Sequence, residues 1–157
     1  MKHVAILPIV LFLFASSLIA LPHPTDQDRA KQLERERERF DKETDPVTRT
    51  KIGIRISDIL LEDVATSVKD GQFDVMEQQL TAYADTIQTA HNSLVESGRN
   101  AQKKPGGFKE LEIALRKHVR KLEDFGRVLN LQRRIPLDKA KDLANGIRDK
   151  LLKALFP

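Results

Sequence analysis

Residues 73–94 read FDVMEQQLTAYADTIQTAHNSL, and the fold follows from how its apolar positions are spaced. Phe73, Met76, Leu80, Tyr83, Ile87, Ala90 and Leu94 recur at alternating steps of three and four. That spacing brings every one of them to a single side of an α-helix, with polar residues filling the other side. Asp74 with Glu77 three residues later is expected to open this helix as a capping-box-like pair, and Gly98 to end it. Downstream, Phe108, Leu111, Leu115, His118, Leu122, Phe125 and Leu129 repeat the same rhythm with one histidine inside the seam.

Upstream, Asp45-Pro46 is a strong helix entry, with Asp as the N-cap and Pro at the first helical position. The helix it begins is expected to run to about Asp70, stopped by Gly71, with Ile52, Ile56, Ile59, Leu60, Val64 and Val68 on its buried face. Ile52-Gly53-Ile54-Arg55-Ile56 also alternates as a strand would, but the cap and the downstream spacing outweigh five residues. At the other end Arg133-Arg134-Ile135-Pro136 is expected to break the chain. A last helix then carries Leu137, Ala140, Ala144, Ile147, Leu151 and Leu155, weakened in its middle by Asn145-Gly146.

Four amphipathic helices with short connectors over residues 45–157 predict an all-α fold, an antiparallel four-helix bundle with coiled-coil-like seams. Before it, residues 21–44 comprise a stiff Leu21-Pro22-His23-Pro24 spacer and a charged helix over Thr25–Glu43. The Glu34-Arg35-Glu36-Arg37-Glu38-Arg39 run pairs with itself at helical spacing. Only Ala30, Leu33 and Phe40 give that helix an apolar stripe, so it either docks loosely or acts as a spacer.

Residues 1–20 read as a secretory signal peptide: Lys2 and His3, the apolar run Val4 to Phe14, then Ala15, Ser16 and Ser17. Cleavage after Ser17 places Ala15 at the minus-three position; cleavage after Ala20 places Leu18 there. The alternative is a retained anchor over residues 4–20, just long enough to span a bilayer. Either way the remainder is exported, periplasmic or secreted.

The 157 residues contain no cysteine, which removes disulfides, thiolate metal sites and thiol catalysis together. No Glu-x-x-His or His pair at i, i+4 supports a metal, and no nucleophile motif supports an enzyme. No catalytic residue, metal ligand or cofactor site is therefore predicted. His118 reads as a hydrogen-bonded core residue, with pH sensing as the sharper alternative.

Charge is unevenly distributed. From residue 21 onward 26 bases face 23 acids, since Lys2 is the one charged residue before it. Residues 72–98 hold Asp74, Glu77, Asp85 and Glu96 and no base, whereas residues 99–121 hold Arg99, Lys103, Lys104, Lys109, Arg116, Lys117, Arg120 and Lys121 against Glu110 and Glu112. One reading is an acidic helix lying beside a basic one in a hairpin. The other is a candidate anion-binding face for a phospholipid headgroup, an envelope polysaccharide or an acidic protein. Nucleic acid is not an expected partner, because the aromatics that stack on bases are scarce. The favoured function is non-catalytic protein–protein binding or self-association in the envelope or outside the cell, and the alternative is peripheral binding of anionic membrane or polysaccharide.

Asp45-Pro46-Val47-Thr48-Arg49, Ser57-Asp58 and Lys103-Lys104-Pro105-Gly106-Gly107-Phe108-Lys109 resemble small exported helical proteins of acidobacterial-type soil bacteria, a family with no assigned activity. The resemblance spans roughly residues 35–157 of this chain. It implies a Gram-negative envelope or secreted setting and no site residues.

Overall fold

The computed structural model describes residues 24–157. The expected signal peptide and residues 21–23 of the spacer lie outside the described residues. Among the described residues the chain is all-helical and bundle-like: α1 (Pro24–Lys42), α2 (Pro46–Lys69), α3 (Phe73–Glu96), α4 (Phe108–Gly126) and α5 (Leu131–Leu155), with no strand. No helix among them is long and apolar enough to cross a membrane.

The caps explain where the helices start, and three expectations are corrected. Asp45 caps α2 as its sequence predicts, its carboxylate accepting from Thr48 N at 2.7 Å. α3 opens at Phe73 behind Gln72, which makes no side-chain cap bond. Asp74 instead lies within the first turn, where a carboxylate favours the positive end of the helix dipole. α5 begins at Leu131, six residues before the expected Leu137. Asn130 supplies the cap, accepting from Arg133 N at 3.0 Å, and Pro136 is carried inside the helix. A proline there removes one N–H, whose partner would be the Gln132 carbonyl. The Asn130 cap and the burial of Leu137 and Ala140 beyond the proline offset that loss. Pro24, expected in the spacer, is the first residue of α1, a position where its fixed φ is favourable.

The helices pack as two hairpins. α2 packs chiefly on α3 and α4 on α5; α3 also packs on α5 and α2 on α4. α3 and α4 barely touch and lie diagonally across the core. A Cβ on Gly107 at the start of α4 would lie 3.5 Å from Val47 at the start of α2. Further along, Asp58 of α2 meets His118 of α4. These neighbours therefore run in the same direction and in register, so adjacent helices are not all antiparallel.

The core contains Ile52, Ile56, Leu60, Met76, Leu80, Ile87, Leu111, Leu115, Leu122, Leu137, Ile147 and Leu151. α2 is buried more widely than its predicted face, Leu61 and Ser57 included, because α1, α3 and α4 all pack on it. Val68 and Phe125, assigned to seams from spacing, are only partly buried. α1 docks on α2: Phe40 enters the core over Gly53, and Glu36 is held by Arg55 Nη2 at 2.9 Å and Arg39 Nη1 at 3.0 Å. A further pair joins Arg29 and Asp63 at 3.2 Å.

Candidate anion-binding face

The basic face is built on α4 and the connector that feeds it. The connector turns into α4 at Gly107, whose φ is 88°, a left-handed conformation that favours glycine. A Cβ there would also come within 2.5 Å of a Leu94 methyl. Glu110 closes the entry by accepting from Gly107 N at 2.7 Å. The Lys103-Lys104-Pro105-Gly106-Gly107 stretch is thus a helix entry, and its two lysines are exposed in the connector.

Of the other predicted bases, Arg99 is half-buried in the connector and Lys121 half-buried on α4, while Lys109, Arg116, Lys117 and Arg120 are exposed. Lys109, Arg116 and Arg120 are separated by seven and four residues, so they form one line along the outer side of α4. Lys117 and Lys121 lie beside that line on the side toward α2, where both help hold down the pKa of Asp58. Of the four acids of α4, the two nearest its start are engaged elsewhere, while Glu123 and Asp124 stand exposed near its end. Glu110 caps its own helix, and Glu112 is bonded by Arg148 Nε of α5 at 3.0 Å, with Arg116 at a looser 3.8 Å. Among the described residues no other ion pair within 4.0 Å involves one of the eight bases.

The expected pairing of an acidic helix beside a basic one is corrected by the diagonal. Asp74, Glu77, Asp85 and Glu96 are exposed on α3, which lies across the core from α4. Asp85 faces the groove that holds α1, near Arg37, and Glu77 borders α5 near Lys139. Over residues 109–120 the outer side of α4 therefore keeps its positive charge, and exposed Glu123 and Asp124 interrupt it beyond Arg120.

Beside this face, between α2 and α4, opens a cleft of about 470 Å³ lined by Lys51, Ile54, Asp58, Ile113, Lys117 and His118 among others. At its floor three helices are tied by one polar chain. His118 Nε2 lies 3.1 Å from Asp58 Oδ1, and its Nδ1 lies 3.3 Å from the Tyr83 hydroxyl. Asp58 is 49% exposed and His118 only 1%. The bond from His118 holds the Asp58 carboxyl below its usual range, aided by the nearby charges of Lys121 and Lys117. Burial, and then the Asp58 charge, push the Tyr83 hydroxyl well above its usual range, so it stays a donor. With Asp58 ionised, a neutral ring carries its proton on Nε2 and accepts from Tyr83 at Nδ1. Both ring nitrogens are occupied and neither faces an open site, so this constellation fixes helix register. The core reading of His118 matches that geometry, whereas Asp58 was missed as its partner. The sequence carried a signal for Tyr83 alone: Tyr83 and His118 are each the fourth of seven seam positions, the one polar group at the middle of each seam.

His91, expected to flank the seam, is buried at Leu94's helix end with Nδ1 lacking a hydrogen-bond partner. Burial lowers its pKa, and the Lys150 charge lowers it further. Among the described residues no three His, Cys, Asp or Glu side chains gather as a metal site would require. Compared with known protein families, with curated proteins and with solved structures, the chain matches none of them.

Proposed function

We propose that the protein is an exported, non-catalytic four-helix-bundle protein that binds an anionic surface of the cell envelope through the outer face of α4. The observation that carries this reading is the arrangement of charge: exposed Lys109, Arg116, Lys117 and Arg120, with Glu110 and Glu112 engaged within the fold and the acidic α3 across the core. An array of cations on a rigid helix raises the local concentration of an extended polyanion, and its strength falls as salt screens it. The recognised chemistry is repeated phosphate or carboxylate groups.

The test is retention of the full chain on immobilised heparin, a polyanion probe, at about 50 and 500 mM salt, a change that shortens the Debye length about threefold. Retention at low salt, its loss at high salt and its loss in the triple variant K109E/R116E/R120E are expected. Retention that survives both changes overturns the reading.

A second reading, binding of a protein partner or of another copy of this chain, is favoured by one observation. Val128, Leu131 and Ile135 are exposed apolar side chains close together in sequence. Such an association would survive the high-salt wash of a pull-down that removes charge-driven contacts.

A further inference from the structure

α2 passes to α3 and α4 passes to α5 at the same end of the molecule, and there the second turn exposes an apolar edge. Val128 is 75% exposed and Leu131 80% exposed. Ile135 stands one helical turn beyond Leu131 on the same side of α5, and Val128 precedes Leu131 by three residues in the turn that leads into it. Between Asp124 and Asp138 the chain carries Arg127, Arg133 and Arg134 and no acid. Arg127 meets Asp124 at 3.3 Å in a solvent-exposed pair, and half-buried Arg134 meets Asp138 at 3.3 Å while packing over Gly126. Arg133 lies over the Phe73 ring at 4.5 Å. Exposed pairs of this kind are weak and leave a guanidinium with further donors to offer. The acids nearest in the other turn, Asp70 and Asp74, are exposed. Arg127 also continues the Lys109, Arg116, Arg120 line by a further seven residues, past exposed Glu123, keeping an αR backbone beyond the end of α4.

Apolar side chains bordered by guanidinium groups match the boundary layer of an anionic bilayer, where acyl chains lie just beneath phosphates. A stable protein interface fits less well, since three aliphatic side chains cover well under the about 800 Å² per partner that such interfaces bury. We infer that the 127–135 turn is a wedge that enters the surface of an anionic lipid bilayer, with Val128, Leu131 and Ile135 below the phosphates and the arginines on them. This rests on the anionic-surface reading and names the bilayer as that surface.

The absence of cysteine permits a test in the full chain that does not depend on how residues 1–20 engage lipid. Leu131→Cys carries a polarity-sensitive fluorophore, and Gln102→Cys, exposed in the connector at the opposite end, is the control. Phosphatidylglycerol vesicles are expected to blue-shift the label at position 131 and not at position 102, and phosphatidylcholine vesicles to shift neither. Adding V128D and I135D to the labelled chain is expected to weaken the response about tenfold or more, because two exposed apolar anchors are lost. Both replaced residues are exposed, so the core is untouched. A silent label at position 131 on a chain that sediments with phosphatidylglycerol vesicles overturns the inference. So does a shift that appears without vesicles and grows with protein concentration, which would mark contact with a second copy. Heparin retention separates the failures: if K109E/R116E/R120E still abolishes it while position 131 is silent, the wedge alone is wrong. If that variant leaves retention unchanged, the anionic-surface reading fails as well.

Discussion

Tyr83→Phe is expected to destabilise the protein although it keeps the ring that fills the core. Tyr83 is fully buried, its ring meets His118 edge-on at 5.6 Å between centroids, and its hydroxyl lies 3.3 Å from Nδ1. In a neutral ring Asp58 draws the proton to Nε2, which leaves Nδ1 an acceptor with no access to water. Phenylalanine removes the donor and strands that acceptor. A buried polar atom without a partner costs about 1–3 kcal/mol, and the long bond argues for about 1–2 kcal/mol here. For a chain of this size that lowers Tm by roughly 2–8 °C. His118→Leu should cost more, because it strands the Tyr83 hydroxyl and unties Asp58 from the core. The double variant Y83F/H118L buries neither orphan, so its loss should fall short of the sum by about 1 kcal/mol or more. Urea denaturation of the four chains, with unchanged m-values, measures the cycle. If Y83F matches the wild type and the cycle is additive, the hydrogen-bonded chain from α3 through α4 to α2 contributes nothing and the tautomer argument is wrong.

Two glycines should respond to alanine with opposite signs. At Gly53 a Cβ would meet Phe40 at 3.0 Å and Ala90 at 3.2 Å, so Gly53→Ala should cost about 1–2 kcal/mol net and loosen α1, read as faster amide exchange over residues 24–42. At Gly146 a Cβ meets nothing within 4 Å, so Gly146→Ala should raise stability by about 0.5–1 kcal/mol in the same melts. Glu36→Gln removes the charge that Arg55 and Arg39 hold; exchange should quicken in α1 and stay unchanged in α3 to α5, and a uniform change would show that α1 is not docked through this pair. Acid should destabilise the fold in two stages. His91, whose folded pKa lies below 6.5 through burial, lets the unfolded chain bind protons first as pH falls below 6.5, and Asp58 and Asp45, both held below 3.8 by accepted hydrogen bonds, repeat that sign below 3.8. The urea midpoint should therefore be highest near neutrality, and His91→Gln should abolish only the first stage.

Local chemistry made the helices legible. The seams of α3 and α4, the Asp45-Pro46 entry and the Gly71 and Gly98 stops each depend on residues within one or two turns, and the all-helical fold follows from them. The start of α5 is hidden by Pro136, which reads as a break: a helix tolerates one lost hydrogen bond when a cap, here Asn130, lies before it and a buried face beyond it. The wide burial of α2, Leu61 included, was also out of reach, since spacing identifies a face but not the number of helices that pack on it.

The basic residues of the candidate face could be named from the chain, and so could the positions that make them a line on α4. Whether their charge is cancelled could not, because that depends on which helix becomes the neighbour. Four amphipathic helices of similar length can be arranged around a core in more than one order, and their seams are satisfied by each. Packing in three dimensions selected α2 and α5 as the flanks of α4 and placed acidic α3 on the diagonal. It also brought Asp58 to His118 across 60 residues. The sequence by itself determined the helices, their apolar faces and the supply of charge, because those are set by periodicity and caps. The tertiary structure alone decided which charges meet, because electrostatic partners are set by distance in space and carry no sequence period.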